Sequence, residues 1–295
     1  GTYDLVQASN KILLNTRNIR PTPMKDDKII TSWNCLMIST LAEAGVVLQS
    51  SEYLEAARKC AGFLLNNLIR DGRVLRTYRN GEPKLNGYLE DYSFFIKALL
   101  TLHAATLESK WLIIAISLGE SMIELFWDPE KLAFFDTGLD HETLILRPKD
   151  PFDNALPSGS SVAVEVLLKL AIITGDSNYS NIGETALNSL NGVMPKIPMG
   201  VPNWLCALDF HLSSAKEIVI LGSLDDPRTI SILNSVHKHF IPNKVVIGQS
   251  SELNIPLLRN REILNESPTA FICKNYACQM PTNDPSEVER QLILE

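Results

Sequence analysis

The chain has 295 residues, 45% hydrophobic and 21% charged, a balance that suits a soluble globular fold of one large domain or two smaller ones. A formal net charge of −7, with the lysines and arginines scattered, excludes a broad nucleic-acid surface and a polybasic membrane face. No charge-free apolar stretch of ~18 residues or more occurs, so no transmembrane helix is expected.

Residues 3–19 place Leu5, Val6, Ile12, Leu13 and Ile19 at roughly helical spacing, and Pro21 and Pro23 stop the run. The period resumes at Ile30, Trp33, Met37, Leu41, Ala44 and Val47, with Thr31 and Ser32 as expected N-caps. A turn at residues 49–51 leads into a second helix, opened by Ser51 and running to about Leu68, so the two form an antiparallel hairpin. Asp71-Gly72 and Asn80-Gly81 are turn signals around a short β-ribbon at residues 73–79. A second helix pair is expected over about 90–106 and 110–126, and an irregular connector over 127–153. A third pair covers about 159–174 and 178–193, turning at Gly175-Asp176.

Beyond Pro195 the pattern changes. One more helix is expected over 203–213. A buried strand at 217–221, a helix at 227–240 near Asp225 or Asp226, and a strand at 244–247 make a small β-α-β unit. Residues 269–273 are a third strand candidate, and Asp284-Pro285 opens a final helix with proline in its first turn. The recurrence of helix hairpin plus connector every sixty to seventy residues is a structural repeat. The expected fold class is therefore mainly α: part of an (α/α)6 toroid of helix hairpins, with a small C-terminal β-α-β appendage. Residues 1–215 would form the toroid portion, an incomplete ring, and 216–295 an α/β portion packed on it.

The inner helices of such a toroid present their N-termini at one end, where unpaired N–H groups and partial positive charge can hold a polar ligand. Three expected helix starts carry polar clusters: Asp26-Asp27-Lys28 with Trp33-Asn34, residues 88–92, and Asp153-Asn154 with residues 157–160. The competing reading is plain helix capping, the commonest use of such residues at these positions. Asn34 and Asp91 fall just inside their helices, where no cap is needed. The histidines form no metal-ligand spacing; His237 and His239 close a helix, where a cation suits the dipole. There is no P-loop, dinucleotide fingerprint or nucleophile elbow, and Ser158 has no nearby histidine in sequence. No metal and no cofactor are expected.

Five cysteines, Cys35, Cys60, Cys206, Cys273 and Cys278, are an odd number, mostly in apolar contexts, and are expected as buried thiols. Cys273 and Cys278, five apart, make neither a redox motif nor half of a zinc site. Unpaired cysteines favour an intracellular setting. The chain opens with Gly1 and no signal peptide, as in a fragment or processed product.

These segments resemble the spermatogenesis-associated protein 20 family of thioredoxin-domain-containing proteins. The resemblance rests on residues 26–28 and 31–34, on Leu89-Glu90-Asp91-Tyr92, on Arg147-Pro148-Lys149 with Asp153 and Pro157-Ser158-Gly159, and on residues 269–273 and 277–281. It implies an α/α barrel similar to those of N-acylglucosamine 2-epimerases and six-hairpin glycosidases, preceded by a thioredoxin-like domain. Cys35, Glu90, Ser160 and residues 131–133 depart from the family pattern, the last by lacking glycines before the Phe134-Phe135 pair. The resemblance points to a small polar or sugar ligand. On that reading Asp27, Glu90 and Asp91 are acid/base candidates, and Lys28 and Asn34 orient the ligand. Trp33 and Tyr92 stack on it, Arg147 pairs with an anionic group, and Ser158 adds a contact. The alternatives are a non-catalytic scaffold partnered by the upstream thioredoxin-like domain, and a fragment that folds only with the rest of its polypeptide. No nucleic acid and no membrane are expected as partners.

Overall fold

The computed structural model describes every residue except 143, 144, 249, 251, 276, 294 and 295. It opens with α1 (Thr2–Asn18), which buries no residue. The helix is where its apolar spacing puts it, but Leu5, Ile12 and Leu13 all face solvent. The first hairpin follows a two-residue strand β1 (Ile29–Ile30) and comprises α2 (Thr31–Val47) and α3 (Ser51–Asn67). Then come β2 (Ile69–Arg70), β3 (Arg73–Arg79) and β4 (Glu82–Asn86), with β1, β2 and β4 each pairing antiparallel with β3. The expected ribbon is present, and it carries β1 along its edge.

The second hairpin is α4 (Leu89–Thr106) and α5 (Ser109–Phe126). A small ribbon of β5 (Trp127–Asp128) and β6 (Ala133–Phe134) starts the connector to the third hairpin, α6 (Gly159–Thr174) and α7 (Ser177–Ser189). One more helix, α8 (Pro202–Leu212), lies against α6.

Packing sorts these helices into two layers. Helix α4 sits between α2 and α6, and α6 sits between α4 and α8, while α3, α5 and α7 lie against their own partners outside. The layering follows from composition. Most side chains of α4 and of α6 are buried, so these helices need neighbours on most sides. Helices α5 and α7 bury one stripe each and keep a polar outer face. This is an arc of an α/α toroid. Gly159 is fixed by the close approach of two inner helices, since a Cβ there would stand 2.9 Å from the Glu90 nitrogen.

The C-terminal sheet has the order β10-β9-β7-β8, from β7 (Lys216–Leu221), β8 (Lys244–Gly248), β9 (Thr269–Lys274) and β10 (Ala277–Cys278). Strands β7 and β8 run parallel, joined through α9 (Pro227–His237), and β9 pairs antiparallel with β7. The strand period of two divides the faces. Val219, Leu221, Val245 and Ile247 join the helical core, while Ile218, Ile220 and Val246 pack with α9 and with α10 (Pro285–Ile293).

Local details correct three expectations. Thr31 and Ser32 do not cap α2: Ile30 holds the N-cap position, and the Thr31 hydroxyl donates to the Leu75 carbonyl at 2.6 Å. Ser50, rather than Ser51, caps α3. Cys273 and Cys278 are joined in a disulfide, because antiparallel pairing of β9 with β10 sets them opposite each other. Cys35, Cys60 and Cys206 are free, and Cys206 is exposed. No helix among the described residues is long and apolar enough to cross a membrane.

Candidate active site

The N-terminal ends of α2, α4, α6 and α8 are held together by two buried aspartates. Asp91, fully buried, accepts the Ser32 N–H of α2 at 3.0 Å through Oδ1 and the Tyr88 N–H at 2.9 Å through Oδ2. Its Oδ2 also accepts from Arg76 at 3.0 Å. One carboxylate thus satisfies donors at the starts of two inner helices and closes the capping box of its own. Burial pushes its carboxyl up, against the pull of Arg76 and the Tyr88 N–H.

Asp153 repeats the arrangement one step around the arc. Its Oδ1 accepts from the Ser158 N–H at 2.8 Å and the Ser161 hydroxyl at 2.7 Å, and its Oδ2 accepts from the Asn203 N–H of α8 at 2.8 Å. Ser158 is the N-cap of α6, accepting from the Ser161 N–H at 3.0 Å.

Between these two anchors the mouth carries a second, more accessible set of carboxylates. Arg76, projecting from β3, bridges Asp91 to Glu90, which it meets at 2.8 Å. Its guanidinium lies 4.6 Å over the Tyr88 ring, which in turn stacks on His141 at 5.1 Å. Asp136 lies in the connector after the Phe134-Phe135 pair, and its carbonyl accepts the Leu89 N–H, so it stands beside the first residue of α4. Its carboxylate accepts the Asp150 N–H at 3.1 Å. Burial, with added repulsion from Asp150 and Glu90, pushes the Asp136 carboxyl up to about 6. A carboxyl raised toward neutrality beside an ion-paired one is an arrangement that general acid/base chemistry uses.

The sequence-chosen residues separate against this geometry. Glu90 is at the mouth and partly exposed. Trp33 lies one residue beyond Ser32 on α2 and is 60% exposed, free to offer a face to a ligand. Asp27 is on the exposed approach to β1, ion-paired with Arg79, and Lys28 pairs with Asp26 at 3.3 Å. The remaining candidates are engaged structurally. Tyr92 is fully buried, so no ligand can stack on it; its ring packs on Phe126 and its hydroxyl accepts the Val74 N–H at 3.1 Å. Asn34 donates to the Ile30 carbonyl at 2.8 Å and accepts from the Cys60 thiol at 3.6 Å. Arg147 lies 3.8 Å over the Phe135 ring and donates to the Thr137 and Leu125 carbonyls. The expectation that no cap is needed at these positions is corrected for Asp91, which accepts N–H groups at two helix starts, whereas Asn34, among the described residues, bonds only the Ile30 carbonyl four residues back and the Cys60 thiol.

Asp136 was not among the chosen residues. It lies in a stretch with no period, and the acidic residue after an aromatic pair was its only mark. Among the described residues no group of three or more His, Cys, Asp or Glu is arranged to hold a metal ion.

Fold and mouth together define a helix-hairpin protein of the α/α-toroid class, with polar side chains gathered at the N-termini of its inner helices. No family model matches the chain. It is 33% identical over 98% of its length to spermatogenesis-associated protein 20 of Homo sapiens and 34% identical to that of Rattus norvegicus. An uncharacterized protein of Caenorhabditis elegans is 24% identical over 96% of this chain. Over nearly its whole length the chain is thus similar to the spermatogenesis-associated protein 20 family, and it spans 39% of the human relative and 40% of the rat and worm ones. Among solved structures it is similar to cellobiose 2-epimerase from Bacillus thermoamylovorans (TM-score 0.47, 15% identity, 57% of this chain and 45% of that one). It is also similar to unsaturated glucuronyl hydrolase from Bacillus sp. GL1 (TM-score 0.46, 16% identity, 59% and 50%).

Proposed function

We propose that the inner-helix mouth binds a small polyhydroxylated ligand of the sugar class, with Asp136 and Glu90 as its acid/base pair. The observation that carries this reading is the placement of Asp136, whose carbonyl accepts the Leu89 N–H next to Glu90; burial and the nearby carboxylates push its own carboxyl up to about 6. A protonated carboxyl can donate to a hydroxyl or ring oxygen while its neighbour accepts, the division of labour needed for epimerisation or glycosidic cleavage. The partial positive charge of the helix N-termini favours a polar or anionic ligand group, and exposed Trp33 offers an apolar face to a sugar ring. In this reading Asp91 and Asp153 are positioning residues that hold the helix starts in register.

A second reading, a non-catalytic scaffold for a thioredoxin-like domain of a longer polypeptide, is favoured by one set of contacts. Asp91 and Asn34 have their polar groups engaged by helix ends and offer little to a ligand. Proton NMR of the chain with reducing mono- and disaccharides in D2O separates the two. The sugar reading expects ligand line broadening that Asp136→Asn and Glu90→Gln each weaken by roughly tenfold in affinity. Unperturbed spectra with every sugar, in wild type and variants alike, would leave the scaffold reading.

A further inference from the structure

At the opposite end of the arc, the C-termini of α2, α4 and α6 meet the end of α9 and the start of β8 around a cavity of about 440 Å³. Its size is in the range of small-molecule sites, and at ~30 Å³ per water it would take more than a dozen, so a bare inorganic ion leaves most of it unfilled. Val46 from α2, Leu100 from α4 and Ile173 from α6 form apolar walls, and the 93%-exposed Phe240 is at the rim.

Polar side chains are interspersed among the apolar ones, three lysines and one carboxylate, Glu43, among them. His237 directs Nε2 to the Ala104 carbonyl at 3.0 Å, which makes that nitrogen the donor and leaves Nδ1 an acceptor with no partner among the described residues. The cation expected at the end of α9 is thus neutral: burial, with Lys244 adding to it, pushes His237 down to about 4. Lys244 reaches from β8 to the Val236 carbonyl at 3.1 Å, leaving two of its three donors. Burial pushes it down to about 8, with only the exposed Glu43 pulling the other way. The other lining ammonium groups already have carboxylates. Lys169 is held by Glu165 at 2.7 Å, and Lys238 by Glu289 at 2.9 Å. Lys244 has no such ion pair among the described residues, and Glu43, the carboxylate of the lining that acts on it, is exposed to solvent.

We infer that this cavity binds a small amphipathic molecule, its apolar body against Val46, Leu100 and Ile173 and a single anionic head group on Lys244. The acidic mouth and this basic, apolar cavity lie at opposite ends of the inner helices, so the inference stands whether or not the mouth binds sugars. The head group is singly charged in the main, because three helix C-termini converge here and their partial negative charge opposes a larger anion.

The test is isothermal titration of the 295-residue chain with decanoate and, as a control of equal tail length, decylamine. The expected result is decanoate binding at least about tenfold tighter than decylamine. Lys244→Met, which keeps the stem and removes the charge, should abolish that preference. Val47→Trp places a bulky ring at the exposed edge of the cavity without entering the core, and should weaken both ligands. Thermal unfolding of each variant checks that it folds. Equal affinity for the two head groups in the wild type overturns the inference, as does a preference that survives Lys244→Met. Should Lys244→Met fail to fold, undiminished decanoate binding by Val47→Trp overturns it instead.

Discussion

The Asp91 carboxylate accepts the Ser32 N–H at 3.0 Å, across 59 residues of sequence, so the start of α2 is closed by a side chain from α4. Truncating that carboxylate leaves the Ser32 and Tyr88 N–H groups without their acceptor and Arg76 with Glu90 alone. Two unpaired buried donors and a weakened ion-pair network each cost free energy, so Asp91→Ala should destabilise the chain by about 3 kcal/mol. Urea unfolding followed by circular dichroism measures it. Asp27→Ala, which removes only an exposed pair with Arg79, should leave the midpoint almost where it was. Equal effects from the two substitutions would remove Asp91 from the role given to it.

This contact shows where the sequence is readable and where it is not. The extents of α2, α4 and α6 follow from local apolar period, which is why the hairpins and their layering can be expected in advance. The cap of α2 cannot, because the local candidates Thr31 and Ser32 are displaced by a tertiary partner. Tyr92 has the pattern of an aromatic near a polar mouth, and only the packing of Phe126 and Val74 shows that it is interior. Asp136 escapes notice for the opposite reason, since it belongs to an aperiodic connector whose path is set by the Leu89 and Asp150 contacts. The Cys273–Cys278 bridge depends on strand register rather than on spacing alone.

Asp136 should behave as a group kept at a cost to stability. Its folded pKa, about 6, lies above the ordinary carboxylate value of 3.8. The folded state therefore binds its proton more tightly than the unfolded state, and stability from this group is present below pH ~3.8 and lost as pH rises through about 6. Asp136→Asn, neutral at every pH, should raise the melting temperature at pH 7.5 and lose that gain toward pH 4. Carbon-detected NMR titration of the wild type should show a carboxyl titrating near 6 that the variant lacks. A melting temperature lowered by the substitution at pH 7.5 would mean that the charged form is the stabilised one.

Helix α1 buries no residue, so its removal should cost the remainder little. Deleting residues 1–19 is expected to leave the urea midpoint of the cooperative transition unchanged while lowering helical ellipticity. The same deletion should reduce binding of an apolar dye such as anilinonaphthalene sulfonate, because Leu5, Ile12, Leu13 and Ile19 are among the exposed large apolar side chains. A shifted midpoint would show that α1 packs on the fold in solution.

Glu165 ties the inner helices together midway along their length, and it gives a pH dependence of the opposite sign to that of Asp136. Its two oxygens meet Lys97 of α4 at 2.8 Å and Lys169 of its own helix at 2.7 Å. Burial pushes its carboxyl up, but Lys169 and Lys97 together more than offset this and hold it at about 2. A depressed folded pKa means that the unfolded state binds the proton more readily. The stabilisation is therefore fully present above the ordinary value of 4.5 and lost as pH falls through about 2. Glu165→Gln should destabilise the chain on the order of 3 kcal/mol at pH 7, since it leaves two partly buried ammonium groups without their counter-charge. Unfolding of wild type and variant compared from pH 7 down to pH 2 should give curves that run parallel to about pH 4.5 and then converge. Parallel curves over the whole range would show that the difference comes from packing and not from the charge of Glu165.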